Sequence, residues 1–186
     1  MDKFNLIKKE IERLNKKSTI KFEDVHSKST LQLVLRLKPS ADEALQIAAL
    51  GHDIDRSVEE RRTKGKFADY SAYKKQHALT SSVIIGELLK KYDFDKKTIS
   101  KVKYLVKNHE AGKKGDAKIL TEADSLSFFE HNINNYLEKH TVEQLEDKIK
   151  FMYCRLDKKA KQIAKKMKIK NKEIDKIFHD TISRIN

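Results

Sequence analysis

Three histidines stand where helical periodicity places apolar side chains. Leu45, Ala48, Ala49 and His52 lie at i, i+3, i+4 and i+7, so His52 continues a buried stripe. Tyr73, His77, Ile84 and Leu88 share one face of a later helix, and Val102, Leu105, Val106 and His109 share one face of the next. Asp53 follows His52, and Asp124 is surrounded by Leu120, Ala123, Ser127 and Phe128, which aims its carboxylate inward. A buried carboxylate is costly unless cations or hydrogen bonds meet it. Any one of these histidines alone reads as a satisfied core residue. Together they make a convergent polar centre inside an apolar bundle. A divalent metal is the simplest way to satisfy it, because imidazole nitrogen and carboxylate oxygen are natural ligands.

Such a centre requires several helices to meet, and apolar residues do recur at helical spacing along nearly the whole chain. The pattern predicts helices over about 2–16, 23–37, 40–54, 68–91, 95–109, 118–139, 141–168 and 172–184. Pro39 ends the second, whose run Leu31–Leu37 alternates enough to admit a strand instead. Ser40 and Glu43 form an S-x-x-E capping box for the third. Residues 55–66 and 110–117 read as loops. One proline and five glycines in 186 residues leave little punctuation for a β-rich fold. The expectation is one all-α domain, a helical bundle.

Composition narrows the classes further. No stretch approaches the ~20 apolar residues that cross a bilayer. The charged opening, MDKFNLIKKEIERLNKK, does not read as a secretory signal. Cys154 is the single cysteine, which excludes an internal disulfide framework and a thiolate zinc site and leads us to expect a cytoplasmic protein.

The order His26, His52-Asp53, His77, His109, Asp124 resembles the HD-domain metal-dependent phosphohydrolase superfamily. IAALGHDIDR is similar to that family's small, apolar run into the doublet, and ILTEADSLSFFE to its helix bearing the last aspartate. The resemblance covers about residues 20–140. It implies an HD-like core over 1–140, with basic helices 141–186 packed on the same domain. It also implies that His26, His52, Asp53 and Asp124 hold one metal, while His77 and His109, with Asp53 bridging, hold a second. Asp53 and His52 would then be the catalytic residues, and the ions Mn, Fe, Zn, Ni, Co or Mg. Two features depart from relatives. His109-Glu110 replaces a histidine pair, with Glu110 expected to cap a helix end, and Ile54-Asp55-Arg56 replaces a Gly-Lys continuation common in cyclic-dinucleotide phosphodiesterases. The substrate therefore does not carry over. His179-Asp180 lacks room for downstream ligands, and His131 and His140 fit no ligand position and read as surface residues.

The chain has 41 Lys+Arg against 28 Asp+Glu, a formal charge of +13, which favours acidic partners. Arg56, Arg61 and Arg62 cluster just after the doublet, joined by Lys64 and Lys66; Lys74 precedes His77 by three; Lys113 and Lys114 lie in a glycine-bounded loop after His109. Arg56, Arg61, Arg62, Lys74, Lys113 and Lys114 are the expected phosphate-binding set. Tyr70 and Tyr73 are candidates to line a ring pocket, and Glu122 is expected to pair with Arg155. Between Asp157 and Glu173 there are eight lysines and no acid, a solvated helix face or a strip for RNA or an acidic membrane. The expected function is a metal-dependent phosphohydrolase acting on a nucleotide or other small phosphoester. A mixed-valent di-iron oxygenase with the same ligands and a non-catalytic nucleotide- or RNA-binding module are the alternatives.

Overall fold

Most helices begin where a short polar side chain takes up the free N–H groups of a first turn. In a computed structural model, which describes residues 2–18, 20, 22–58 and 69–185, that role falls to Asp2, Asp42, Asp69, Asp95, Thr141 and Asn171. The helices are α1 (Lys3–Asn15), α2 (Glu23–Leu37), α3 (Glu43–Gly51), α4 (Asp55–Val58), α5 (Tyr70–Lys91), α6 (Lys96–Asn108), α7 (Gly115–Glu130), α8 (Val142–Cys154), α9 (Lys158–Lys165) and α10 (Lys172–Ser183). A 3-10 segment, Asn132–Glu138, joins α7 to α8. No strand occurs among the described residues, and the chain forms one all-α domain.

The centre of the bundle is α3. Its small and apolar sequence lets it be buried on nearly every side, with Leu45, Ile47, Ala48 and Ala49 fully enclosed. It packs against α1, α2, α6 and α7, so the residues at its C-terminal end, His52 and Asp53, emerge at the middle of the molecule. At Gly51 a Cβ would lie 2.9 Å from Ile85 Cδ1, which shows how closely α5 approaches. α8 and α10 pack together, α9 lies against α7, and the rings of Phe129 on α7 and Phe178 on α10 are 4.8 Å apart.

Several boundaries differ from the periodicity. Residues 31–37 are helical, not extended. The start of α3 is Glu43, capped by Asp42, whose carboxylate accepts from Leu45 N at 3.0 Å; the Ser40–Glu43 box does not form, because an equally good cap lies two residues later. The expected helix 118–139 stops at Glu130. There the Asn134 amide donates to the carbonyls of Glu130 and His131, diverting the last turn into the 3-10 segment. The expected helix 141–168 is two helices. Asp157 N donates to Glu122 Oε1 at 2.6 Å, which breaks the helical ladder and turns Arg155 inward.

The α6–α7 turn leaves no room for a side chain at Gly112. A Cβ there would come within 2.8 Å of Thr121 Oγ1 and closer still to the Ala117 carbonyl. Thr121 Oγ1 in turn donates to His109 O at 2.7 Å. Gly112→Ala should therefore destabilise the fold by about 1–3 kcal/mol, as overpacking does. Chemical denaturation checks this; an unchanged midpoint would contradict the packing.

Candidate metal centre

Five elements deliver six side chains to one point. His26 comes from the first turns of α2, His52 and Asp53 from the end of α3, His77 from α5, His109 from the end of α6 and Asp124 from α7. All six are buried. His52 and His109 use the same local device. Each terminates its helix and folds back so that Nδ1 donates to the carbonyl three residues earlier, Ala49 O at 2.9 Å and Val106 O at 2.7 Å. His26 Nδ1 faces Ser127 Oγ at 2.8 Å, and that hydroxyl itself donates to His26 O, so it accepts from the ring. His77 Nδ1 donates to Asp55 Oδ2 at 2.7 Å, and Ser81 Oγ holds the other Asp55 oxygen at 2.9 Å.

Every Nδ1 is thus committed to an oxygen, and four Nε2 atoms face inward with metal-ligand polarity. They form two groups around Asp53. Oδ1 lies 2.7 Å from His77 Nε2 and 3.5 Å from His109 Nε2. Oδ2 lies 3.6 Å from His52 Nε2 and 4.0 Å from His26 Nε2. Asp124 Oδ1 closes the second of these groups, 3.3 Å from His26 Nε2 and 3.7 Å from His52 Nε2. His26 Nε2 and His52 Nε2 are only 3.2 Å apart, and two lone pairs at that distance repel unless a cation lies against them. His26, His52 and Asp53 are positioned to hold one ion, and Asp53, His77 and His109 another.

A charged surround supports the cluster. Arg56 reaches both Asp53 and Glu23, at 2.9 Å from Glu23 Oε2. Arg155 lies 3.3 Å from Asp124 Oδ2 and also donates to His109 O at 3.1 Å, while Lys74 pairs with Glu110 at 2.5 Å. Four carboxylates (Glu23, Asp53, Glu110, Asp124) meet three cations in direct ion pairs and a fifth, Asp55, meets His77, so these groups leave two negative charges among the imidazoles. The proton affinities follow that imbalance. Burial opposes charge on His52, yet Asp53, Asp124 and Glu23 raise it to about 9. Burial likewise opposes charge on His77, yet Asp53 and Asp55 also raise it to about 9. Burial carries His109 down to about 4. Desolvation raises Asp53 and Asp124, but Arg56 and the histidines around Asp53, and His26, His52 and Arg155 around Asp124, hold both carboxyls well below the usual range. In each group one histidine, His52 or His77, is thereby disposed to hold a proton where no metal is bound.

A cavity of about 260 Å³ opens onto the cluster, lined by Asp53, Arg56, Asp124, Lys148 and Arg155, with Phe128 and Met152 as apolar wall. Of the expected phosphate-binding residues, Arg56 is already engaged by carboxylates, and Lys74 stands at Glu110. Lys113 and Lys114 are exposed on the α6–α7 loop and line neither this cavity nor the groove beside it. Arg61 and Arg62, with Lys64 and Lys66, lie outside the described residues, as does the Tyr70 side chain. Tyr73 stacks on His77, with centroids 6.1 Å apart.

Other expectations are corrected. Arg155 pairs with Asp124, not Glu122, because Glu122 is taken by Asp157 N and Lys118. Glu110 is no helix cap; it lines the cavity mouth between Lys74 and Arg155. His140 stacks on Tyr136 at 4.2 Å and lines the same mouth, and His131 is part-buried beside Glu130 rather than a surface residue. His179 faces Met167 O at 3.1 Å on α10, apart from the cluster. Sequence reasoning missed Asp55 and Ser127, whose signal was present as polar residues adjoining the doublet and on the inner face of α7. Glu23, Arg155 and Lys148 carried no such signal.

Residues 2–177 match the model of a family described as a domain of unknown function (DUF4202), and the chain belongs to that family. No curated protein and no solved structure matches it. The family description carries no fold name or activity, so the HD-domain reading rests on residue order and site geometry.

The cluster's proton affinities and outer hydrogen bonds have three measurable consequences. His52 and His77 have folded pKa values near 9, above the ordinary 6.5, so the metal-free fold binds more protons than the unfolded chain between those values. Their stabilisation is full below about 6.5 and is lost as pH rises toward about 9. The depressed His109 acts oppositely and loses its contribution as pH falls from 6.5 toward about 4. Metal-free protein should melt progressively lower from pH 7 to 9, and calorimetry in paired buffers should show about one proton released per ion bound at pH 7. Metal uptake without proton release would contradict the arrangement. Asp55→Asn should weaken metal binding by about 10–100-fold, as loss of a histidine's outer partner does.

Proposed function

We propose that this chain is a metal-dependent phosphohydrolase of HD-domain type, acting on a nucleotide or other small phosphoester through one or two divalent ions. The observation that carries the reading is the position of Asp53, which offers Oδ1 to His77 and His109 and Oδ2 to His26 and His52. One carboxylate shared between two sets of imidazoles is the arrangement a bridged dinuclear site needs. Asp124 joins the His26–His52 set. Divalent ions held there would polarise a phosphoryl oxygen and acidify a water near neutral pH.

The chain's own groups suit an anionic substrate. Arg56, Lys148 and Arg155 line the cavity, and Lys148 has no carboxylate within ion-pairing distance among the described residues. Its Nζ instead lies 5.1 Å from the Phe128 ring centroid and 5.7 Å from that of Phe151. Burial, with Lys74 and Arg155 nearby, lowers it to about 8, so it still carries most of its charge at neutral pH. Asp55 and Ser127 orient His77 and His26, while Phe128 and Met152 exclude water from one side of the cavity. Charge developing on phosphate oxygens would meet the Lys148 ammonium, the one of these three cations that no carboxylate pairs among the described residues.

A phosphate-release screen over nucleotides and small phosphoesters, with protein loaded in turn with Mn, Fe, Co, Ni, Zn or Mg, tests the proposal. Wild type should release phosphate with at least one ion, and Asp53→Asn should fall to the level of the metal-free protein. No release with any ion would reject phosphohydrolysis, and oxygen uptake by the iron form would replace it with the oxygenase reading.

A further inference from the structure

The cavity at the cluster, about 260 Å³, lies just under the roughly 300–1,000 Å³ typical of small-molecule sites, and it does not end at its mouth. A second and larger groove, of about 950 Å³, runs away from it between α5 and α8. The two share Glu110, Tyr136, His140 and Lys148 as common walls, so the groove is the continuation of the cavity. Its floor is apolar, with Ala78, Leu79, Ala111 and Phe151, and lysines 74, 75 and 107 stand among its walls. Leu79 and Phe151 are large apolar side chains left 41% and 46% exposed.

Building on the phosphohydrolase reading, we propose that this groove is the leaving-group subsite. The substrate is then a phosphoester of a bulky aromatic or apolar alcohol, with its phosphoryl group at the metal cluster and Lys148 holding the anionic junction between the two spaces. The Tyr136–His140 stack supplies a flat surface for such a body, and the exposed Phe151 ring, with Lys74 Nζ 4.3 Å from its centroid, adds apolar contact area. Lys148 comes from α8, beyond the stretch that resembles HD-domain proteins. Small polyol phosphates would leave the groove empty and gain nothing from it.

Binding of two non-hydrolysable probes separates the possibilities: methylphosphonate, which fills only the cavity, and 1-naphthylmethylphosphonate, which also needs the groove. Titration calorimetry with the metal-loaded protein should give at least tenfold tighter binding of the naphthyl probe. Leu79→Asp, at an exposed position that spares the core, should bring the two affinities together while leaving methylphosphonate unchanged. Lys148→Met should weaken both probes. Equal affinities in wild type, or a preference untouched by Leu79→Asp, would overturn the groove assignment and leave the metal-centre reading intact. Failure of both probes to bind the metal-loaded protein would overturn the phosphohydrolase reading and this proposal together.

Discussion

Asp53 is a buried carboxylate, and most of the unusual features around it follow from that placement. Removing a carboxylate from water costs far more than the folding margin of a domain unless the charge is met at close range. Here it is met on both oxygens, by Arg56 and by four imidazoles. Each helper brings its own demand. Arg56 must be balanced by Glu23, and His77 must be oriented by Asp55. The result is a network of ion pairs that still leaves two negative charges at the inner face. Protons on His52 and His77 satisfy them in the metal-free protein, and divalent ions would do so more completely.

The surrounding fold is arranged to make that burial feasible. Small residues in α3 allow neighbouring helices to close around it, so the His52-Asp53 turn ends in the interior. Gly112 permits the tight return from His109 into α7, and Thr121 fixes the His109 carbonyl from below. α8 and the turn after it complete the site, with Arg155 on Asp124 and Lys148 at the mouth. Packing, electrostatics and local backbone geometry therefore converge on the same few residues.

Much of this was legible in the sequence. The inward faces of His52, His77, His109 and Asp124 follow from helical periodicity, and the all-α fold follows from the same pattern. What periodicity could not reveal was competition for backbone hydrogen bonds. Asn134 and Glu122 are ordinary polar residues in sequence, but each captures a backbone group and ends a helix that the apolar pattern would continue. The partner of Arg155 was misassigned for the same reason, since Glu122 was already occupied. Arg56 looked like a phosphate binder because its neighbours in sequence are basic, whereas its neighbours in space are carboxylates. Long-range charge pairing is a property of the folded arrangement, and a single sequence gives it no periodic mark.

Retention of metal by the imidazole–carboxylate cluster is the property from which the proposed chemistry follows. Elemental analysis of protein purified without chelator, then reconstituted with Mn, Fe, Co, Ni or Zn and desalted, measures this directly alongside Asp53→Asn. The prediction is one to two ions retained per wild-type chain and their loss from the folded variant. Wild type that keeps no more of any ion than Asp53→Asn does would contradict it.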